Sequence, residues 1–245
     1  MIEQKTVAWF SAGVSSAVAT KLAVLDGVVD EILYTHIEDQ HPDTLRFIED
    51  CQEWIGKKIQ FLASPYKNVE NAVTAGGSRY VNGPHGANCT RWLKRRVRRE
   101  WEVEQIERGE KLTYIWGMDA TEVDRADRLR EIMRDVEHRF PLIEQGIHKA
   151  AAHEILKASG IARPAMYEMG YHNNNCIGCL KGGMGYWNKI RVDFPAVFAS
   201  RAAMERRIGG TCIKGVYLDE LDPERGRHAG PICDDCGIMC ELQKL

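Results

Sequence analysis

Several things are missing from this sequence, and each absence excludes something. No run of apolar residues approaches the roughly 18 that a membrane-spanning helix needs, so no membrane partner is expected. Charge of one sign is also missing: 33 Lys and Arg face 35 Asp and Glu, a net charge of −2. That balance excludes a generally basic nucleic-acid coat but leaves room for a local basic patch. Cysteine is sparse, 8 in 245 residues, far below a disulfide scaffold. The start, Met1-Ile2-Glu3-Gln4-Lys5, leads into an apolar stretch that breaks at Ser11. It lacks the pattern of a signal peptide, so a cytoplasmic protein is expected. There is no Gly-Lys-Ser/Thr, hence no Walker A loop, and there is no internal repeat.

What is present is an alternation of strand-like and helix-like segments. Strands are expected at Thr6 to Phe10, Glu31 to Ile37, Lys58 to Ala63 and Leu112 to Trp116. Helices are expected at Ser15 to Leu25 and from Pro42 to about Trp54, with Pro in the first turn. A long charged helix is expected from Asn88 to Gln105, another from Gly146 to Ser159, and a last one from about Pro195 to Arg207. Strands alternating with helices predict an α/β fold, a Rossmann-like parallel sheet with helices on both faces. Ligands then bind beyond the strand ends. The alternation stops near residue 165, which divides the chain into an α/β domain, residues 1–165, and a cysteine-rich, irregular and helical part, residues 166–245.

Between the first strand and first helix lies Ser11-Ala12-Gly13-Val14-Ser15-Ser16. Small residues let the backbone approach a ligand, and N–H groups at a helix start bind anions. A plain strand–turn–helix with a Ser cap would use the same residues. The cysteines are grouped: Cys176 and Cys179 form a C-x-x-C, with Cys89 upstream. Thiolates at that spacing can share a metal or cluster, a [4Fe-4S] cluster or zinc, or they can be buried in a tight turn. After Cys89, six cations occur within nine residues. Arg91, Lys94, Arg95 and Arg98 fall on one helical stripe, suited to a polyanion or simply to water. Cys233, Cys236 and Cys240, with Cys212 upstream, also have zinc-site spacing.

Together these segments resemble the 3′-phosphoadenylyl-sulfate (PAPS) reductase family of PP-loop nucleotide-binding proteins. Ser-Ala-Gly-Val-Ser-Ser is similar to the family's Ser-Gly-Gly-x-Asp-Ser loop, with Ser15 in place of Asp. Thr35 to Thr44 resembles its second-strand segment. Gly117-Met118-Asp119-Ala120-Thr121-Glu122 resembles Gly-x-Arg-x-x-Glu, with Asp119 in place of Arg and Arg125 and Arg128 following. The likeness covers about residues 5 to 210. It implies a PP-loop fold and an adenine nucleotide as substrate. The phosphosulfate side would be held by Ser11 to Ser16, anionic oxygens would be bound by Arg91 and Lys94, and Gly117, Glu122 and Arg125 would bind the nucleotide or its phosphate. Asp235-Cys236-Gly237-Ile238 resembles the family's Glu-Cys-Gly-Leu/Ile-His ending. Cys236 would then attack the sulfur of adenylyl sulfate, or its 3′-phosphorylated form, and a thioredoxin-like thiol donor would release sulfite. Cys233 could instead resolve Cys236, or Cys236 could be a zinc ligand.

Related cluster-bearing reductases use a Cys-Cys pair before their C-x-x-C. Asn88-Cys89 stands there in this chain, so three ligands match, and the fourth is left to another thiol such as Cys212 or Cys240, or to an open iron. An open iron points to the alternative, an ATP-dependent sulfurtransferase that modifies nucleic acid. A non-catalytic nucleotide-binding accessory protein is a further alternative. The sequence leaves a homo-oligomer open.

Overall fold

The computed structural model describes residues 4–75, 81–83 and 86–227. In chain order these form β1 (Gln4–Phe10), α1 (Val14–Leu25), β2 (Glu31–His36), α2 (Asp43–Ile55), β3 (Ile59–Ala63) and α3 (Val69–Thr74). Next come α4 (Asn88–Thr90), a π-helical turn (Arg91–Arg95), α5 (Arg96–Glu107), β4 (Lys111–Ile115), α6 (Val123–Ile132) and β5 (Glu137–Arg139). The remainder is helical: α7 (Pro141–Glu144), α8 (Lys149–Ala158), α9 (Ala165–Glu168), α10 (Met184–Asp193) and α11 (Pro195–Ile208). Among the described residues no helix is long and apolar enough to cross a membrane.

The residues fall into two compact units. The first comprises residues up to His36, Pro42–Leu62 and Arg98–Glu168. It holds a five-stranded parallel sheet in the order β3-β2-β1-β4-β5. β2 and β3 lie to one side of β1, and β4 and β5 to the other. The chain therefore reverses direction across the sheet between β1 and β4, the place where open α/β sheets bind ligands.

Alternation along β1 explains why helices cover both faces. Ala8 and Phe10 enter a buried cluster with Ile32 and Tyr34 of β2, Val18 of α1, Phe47 of α2 and Leu156 of α8. Trp9 points the other way and meets Trp101 of α5 edge-on at 5.7 Å and Tyr114 of β4 at 5.6 Å. Each such edge-to-face pair adds about 0.5–1.5 kcal/mol beyond burial. The Tyr114 hydroxyl donates to Glu102 of α5 at 2.8 Å, which satisfies the one polar atom of this layer's tyrosine.

The second unit comprises Ile37–His41, Ala63–Val97 and the residues from Met169 on. It contains α3, α4, the π-helical turn, α10 and α11.

The single long helix expected over Asn88 to Gln105 is interrupted. The Trp92 carbonyl accepts the Ser64 hydroxyl at 2.9 Å, and the Arg96 N–H reaches back to the Arg91 carbonyl, five residues earlier. This wide turn shifts the helical phase. The expected stripe of Arg91, Lys94, Arg95 and Arg98 is broken as a result. Arg91 is exposed, whereas Arg98 is buried and pairs with Glu102 at 2.9 Å. The segment before Pro195 is likewise not irregular throughout, since α10 precedes the last helix.

Candidate functional site

The first unit carries the loop between β1 and α1. Ala12 is fully buried and adopts φ = 59°. A residue with a β-carbon is strained there by about 1–2 kcal/mol, so the turn is held by its surroundings. Gly13 is the N-cap of α1, not a serine, and no side chain caps it among the described residues. The first turn also lacks an acidic residue. The opening N–H groups of α1, from Val14, Ser15 and Ser16, therefore keep their positive field. The Ser16 hydroxyl folds back and accepts the Ser11 N–H at 2.8 Å, which sets the loop's curvature.

Gly117 follows β4 at the sheet's reversal point. A β-carbon on it would lie 2.4 Å from the Ser16 Cα and 2.7 Å from the Ser16 N. The two backbones touch, and only glycine permits it. Beyond it the chain makes a self-contained turn. Asp119 is buried and accepts both the N–H and the hydroxyl of Thr121, at 2.8 and 2.6 Å. Glu122 accepts the Asp119 N–H at 3.0 Å and pairs with Arg125. Glu122 thus holds the turn and one edge of the Arg125 guanidinium. The Arg125 side chain is only 13% exposed. Its Nε and Nη2 are buried with no partner among the described residues. Buried, charged donors without an acceptor are costly, and an anion is the group that satisfies them.

Two neighbours of the loop were not read from the sequence. The Tyr167 hydroxyl lies 3.5 Å from where a Gly13 β-carbon would sit. His153 meets the Tyr167 ring edge-on at 5.0 Å, and its buried Nδ1 has no partner among the described residues. Burial and the positive charges of Arg163 and Lys149 lower the His153 pKa. His153, Lys157, Ile161 and Arg163 line a cleft of about 380 Å³. The sequence signal was faint, because His153 has no motif around it.

In the second unit, the Cys176-Ile177-Gly178-Cys179 turn is closed by Tyr186. Its hydroxyl accepts the Cys179 N–H at 2.8 Å and donates to the Cys176 carbonyl at 3.2 Å. Burial pushes the Tyr186 pKa up, so it remains a donor. Gly178 has φ = 69°, and a Gly182 β-carbon would collide with the Tyr186 ring at 1.9 Å. The Ile177 N–H donates to the Asp39 carbonyl at 2.8 Å. The Asp39 carboxylate accepts the Val69 N–H at 2.6 Å and pairs with the buried Arg201.

Cys89 is buried in α4, Cys179 is buried and Cys176 is half-buried. Cys212 is buried too, and none of these four is in a disulfide. Burial, then the Glu205 carboxylate, pushes the Cys212 thiol up. Among the described residues no three His, Cys, Asp or Glu are placed to hold one metal ion. Cys233, Cys236 and Cys240 lie outside the described residues, and so does the zinc site they would form with Cys212.

Arg91 and Lys94 lie in the π-helical turn. The Arg91 guanidinium sits 5.0 Å from the centre of the Trp92 ring, and Arg96 stacks over both Trp92 and Tyr66 at 5.7 and 5.8 Å. These stacks hold the guanidinium planes in fixed orientations.

No protein-family model matches this chain, and no curated protein matches it.

Proposed function

We propose that this protein is a PAPS reductase-like enzyme of the PP-loop type. It binds an adenine nucleotide and reductively cleaves adenylyl sulfate, or its 3′-phosphorylated form, to sulfite. The observation that carries this proposal is Arg125: a half-buried guanidinium, two of whose nitrogens are buried with no partner among the described residues, in the same unit as a helix start that no side chain caps among those residues. Both features call for an anion, and a phosphosulfate supplies one.

In this scheme Ser11 to Ser16 hold the phosphate side through backbone N–H groups and serine hydroxyls. Gly117 lets the loop close against β4, and Glu122 positions Arg125. Cys236, as thiolate, attacks the sulfate sulfur. An S–S bond forms, the sulfur–oxygen bond to the nucleotide breaks, and the nucleotide leaves with that electron pair. A thiol of a thioredoxin-like donor then attacks the Cys236 sulfur. Sulfite leaves with two electrons, and a disulfide remains.

The proposed cofactor is a [4Fe-4S] cluster on Cys89, Cys176 and Cys179. The chemistry of the donors fits it: thiols, with a glycine-rich turn whose backbone is held by Tyr186. When bound, such a cluster supplies redox or electrostatic chemistry that thiols alone lack.

The alternative, ATP-dependent sulfur transfer to nucleic acid, is favoured by one observation. Arg91, Trp92, Arg96 and Tyr66 form a run of stacked cations and rings, chemistry that also suits single-stranded bases.

Sulfite release decides between them. Protein prepared without oxygen, given adenylyl sulfate and a dithiol, is expected to release sulfite. Arg125→Met should raise KM at least about tenfold, and Cys236→Ser should abolish turnover. Pyrophosphate release from ATP, with no sulfite from either adenylyl sulfate, would contradict the reductase and support the sulfurtransferase.

A further inference from the structure

We infer that Cys212 is the fourth thiolate of the site that contains Cys89, Cys176 and Cys179. This rests on the cluster proposed above and completes its ligand set. In sequence Cys212 has no spacing that ties it to the C-x-x-C. The tie is made by hydrogen bonds within the second unit.

Asn82 is the central link. Its side-chain amide donates both to the carbonyl of Leu180, the residue after Cys179, and to the carbonyl of Cys212, at 3.1 and 3.2 Å. One amide group thus binds the backbone of both cysteine segments. The residue before it, Val81, accepts the N–H of Asn88, the residue before Cys89, at 3.1 Å. Three separate stretches of chain, bearing four thiols, are therefore joined through Val81 and Asn82.

Two buried charges hold the same place. Glu205 has no exposed surface. Its two carboxylate oxygens accept the N–H groups of Cys212 and Leu218. A buried carboxylate is costly unless it is bonded, and this one fixes the turn that presents Cys212. Arg201, which pairs with Asp39, has its Cγ 3.5 Å from where a Gly178 β-carbon would sit, so it packs on the C-x-x-C turn. The remaining described cysteine, Cys51, is buried in the apolar cluster of the first unit and belongs to that core.

Anaerobic reconstitution with ferrous iron and sulfide tests this, read by iron and acid-labile sulfide content and by electron paramagnetic resonance of the reduced protein. The wild-type protein should bind about four irons per chain. Cys212→Ser should lose at least one iron or change the resonance, while Cys51→Ser and Cys240→Ser should match the wild type. Asn82→Ala keeps every thiol and should lose its iron to a chelator at least about tenfold faster; it carries the test should Cys212→Ser fail to fold. Full iron with an unchanged signal in Cys212→Ser, or its loss in Cys240→Ser instead, would overturn this inference alone. No iron in the wild-type protein would overturn the cluster itself, and the inference with it.

Discussion

Gly117 lies against Ser16 so closely that a β-carbon on the glycine would fall 2.4 Å from the serine Cα. The end of β4 and the start of α1 thus have no space between them, and the loop between β1 and α1 is braced from below. Gly117→Ala must push this backbone apart. The expected cost is about 1–3 kcal/mol of stability, typical of overpacking, together with weakened nucleotide binding. Denaturant unfolding and calorimetric titration with adenylyl sulfate check both. An alanine variant with unchanged stability and affinity would show that the loop tolerates displacement.

The Tyr186 hydroxyl spans the two cysteines of the C-x-x-C turn. Tyr186→Phe keeps the ring that Gly182 accommodates but leaves a buried N–H of Cys179 without an acceptor. The loss should be about 1–3 kcal/mol, with faster oxidation or alkylation of Cys176 and Cys179 in the metal-free protein. Thermal melts and timed thiol labelling measure it, and unchanged labelling would remove Tyr186 from this role.

Arg201 and Asp39 form a pair in which the arginine side chain is 4% exposed. Removing one partner leaves a buried charge, which costs about 3–5 kcal/mol. Arg201→Met should therefore destabilise more than the double variant Arg201→Met/Asp39→Asn, in which neither charge remains. Equal losses in the single and double variants would mean that the pair is not coupled.

His138 gives a pH dependence of definite sign. Its Nδ1 accepts the Trp116 indole N–H at 2.9 Å, and its Nε2 donates to the Met133 carbonyl at 2.9 Å, so the ring is bound in its neutral form. Burial, and then Arg130 and Arg98, lower its pKa below the ordinary 6.5, against the raising effect of the Met133 bond. As pH falls through about 6.5 the unfolded chain takes up a proton before the folded one does. Stability from His138 is therefore complete above that value. It declines as pH falls towards the folded pKa and levels off below it. Melts at about pH 7.5 and about pH 5 should show a smaller drop in His138→Gln than in the wild type. An equal drop would mean that His138 does not contribute.

The sheet was largely legible in the sequence because β1 to β4 are apolar runs bounded by turn residues. β5 was not, because Glu137–Arg139 is three polar residues long and takes its register only from β4. α10 was hidden by the glycines before it and by burial of Tyr186, Trp187 and Ile190, which leaves little amphipathic pattern. The run of cations after Cys89 indicated a helix, but the Ser64 contact that widens it into a π turn is tertiary. The turn between β1 and α1 could be placed from its small residues and its position. That two nitrogens of Arg125 are buried with no partner among the described residues, and that Asn82 joins Cys212 to the C-x-x-C, required the fold.

The most direct test is to trap the first chemical step. Protein purified without oxygen would be mixed with adenylyl sulfate, and separately with its 3′-phosphorylated form, in the absence of reductant. Peptide mass spectrometry would then locate any adduct. An S-sulfonate on Cys236 with release of the matching nucleotide is the expected result, and the better substrate is the one that gives it. Binding of either substrate with no sulfonated cysteine would contradict reductive cleavage.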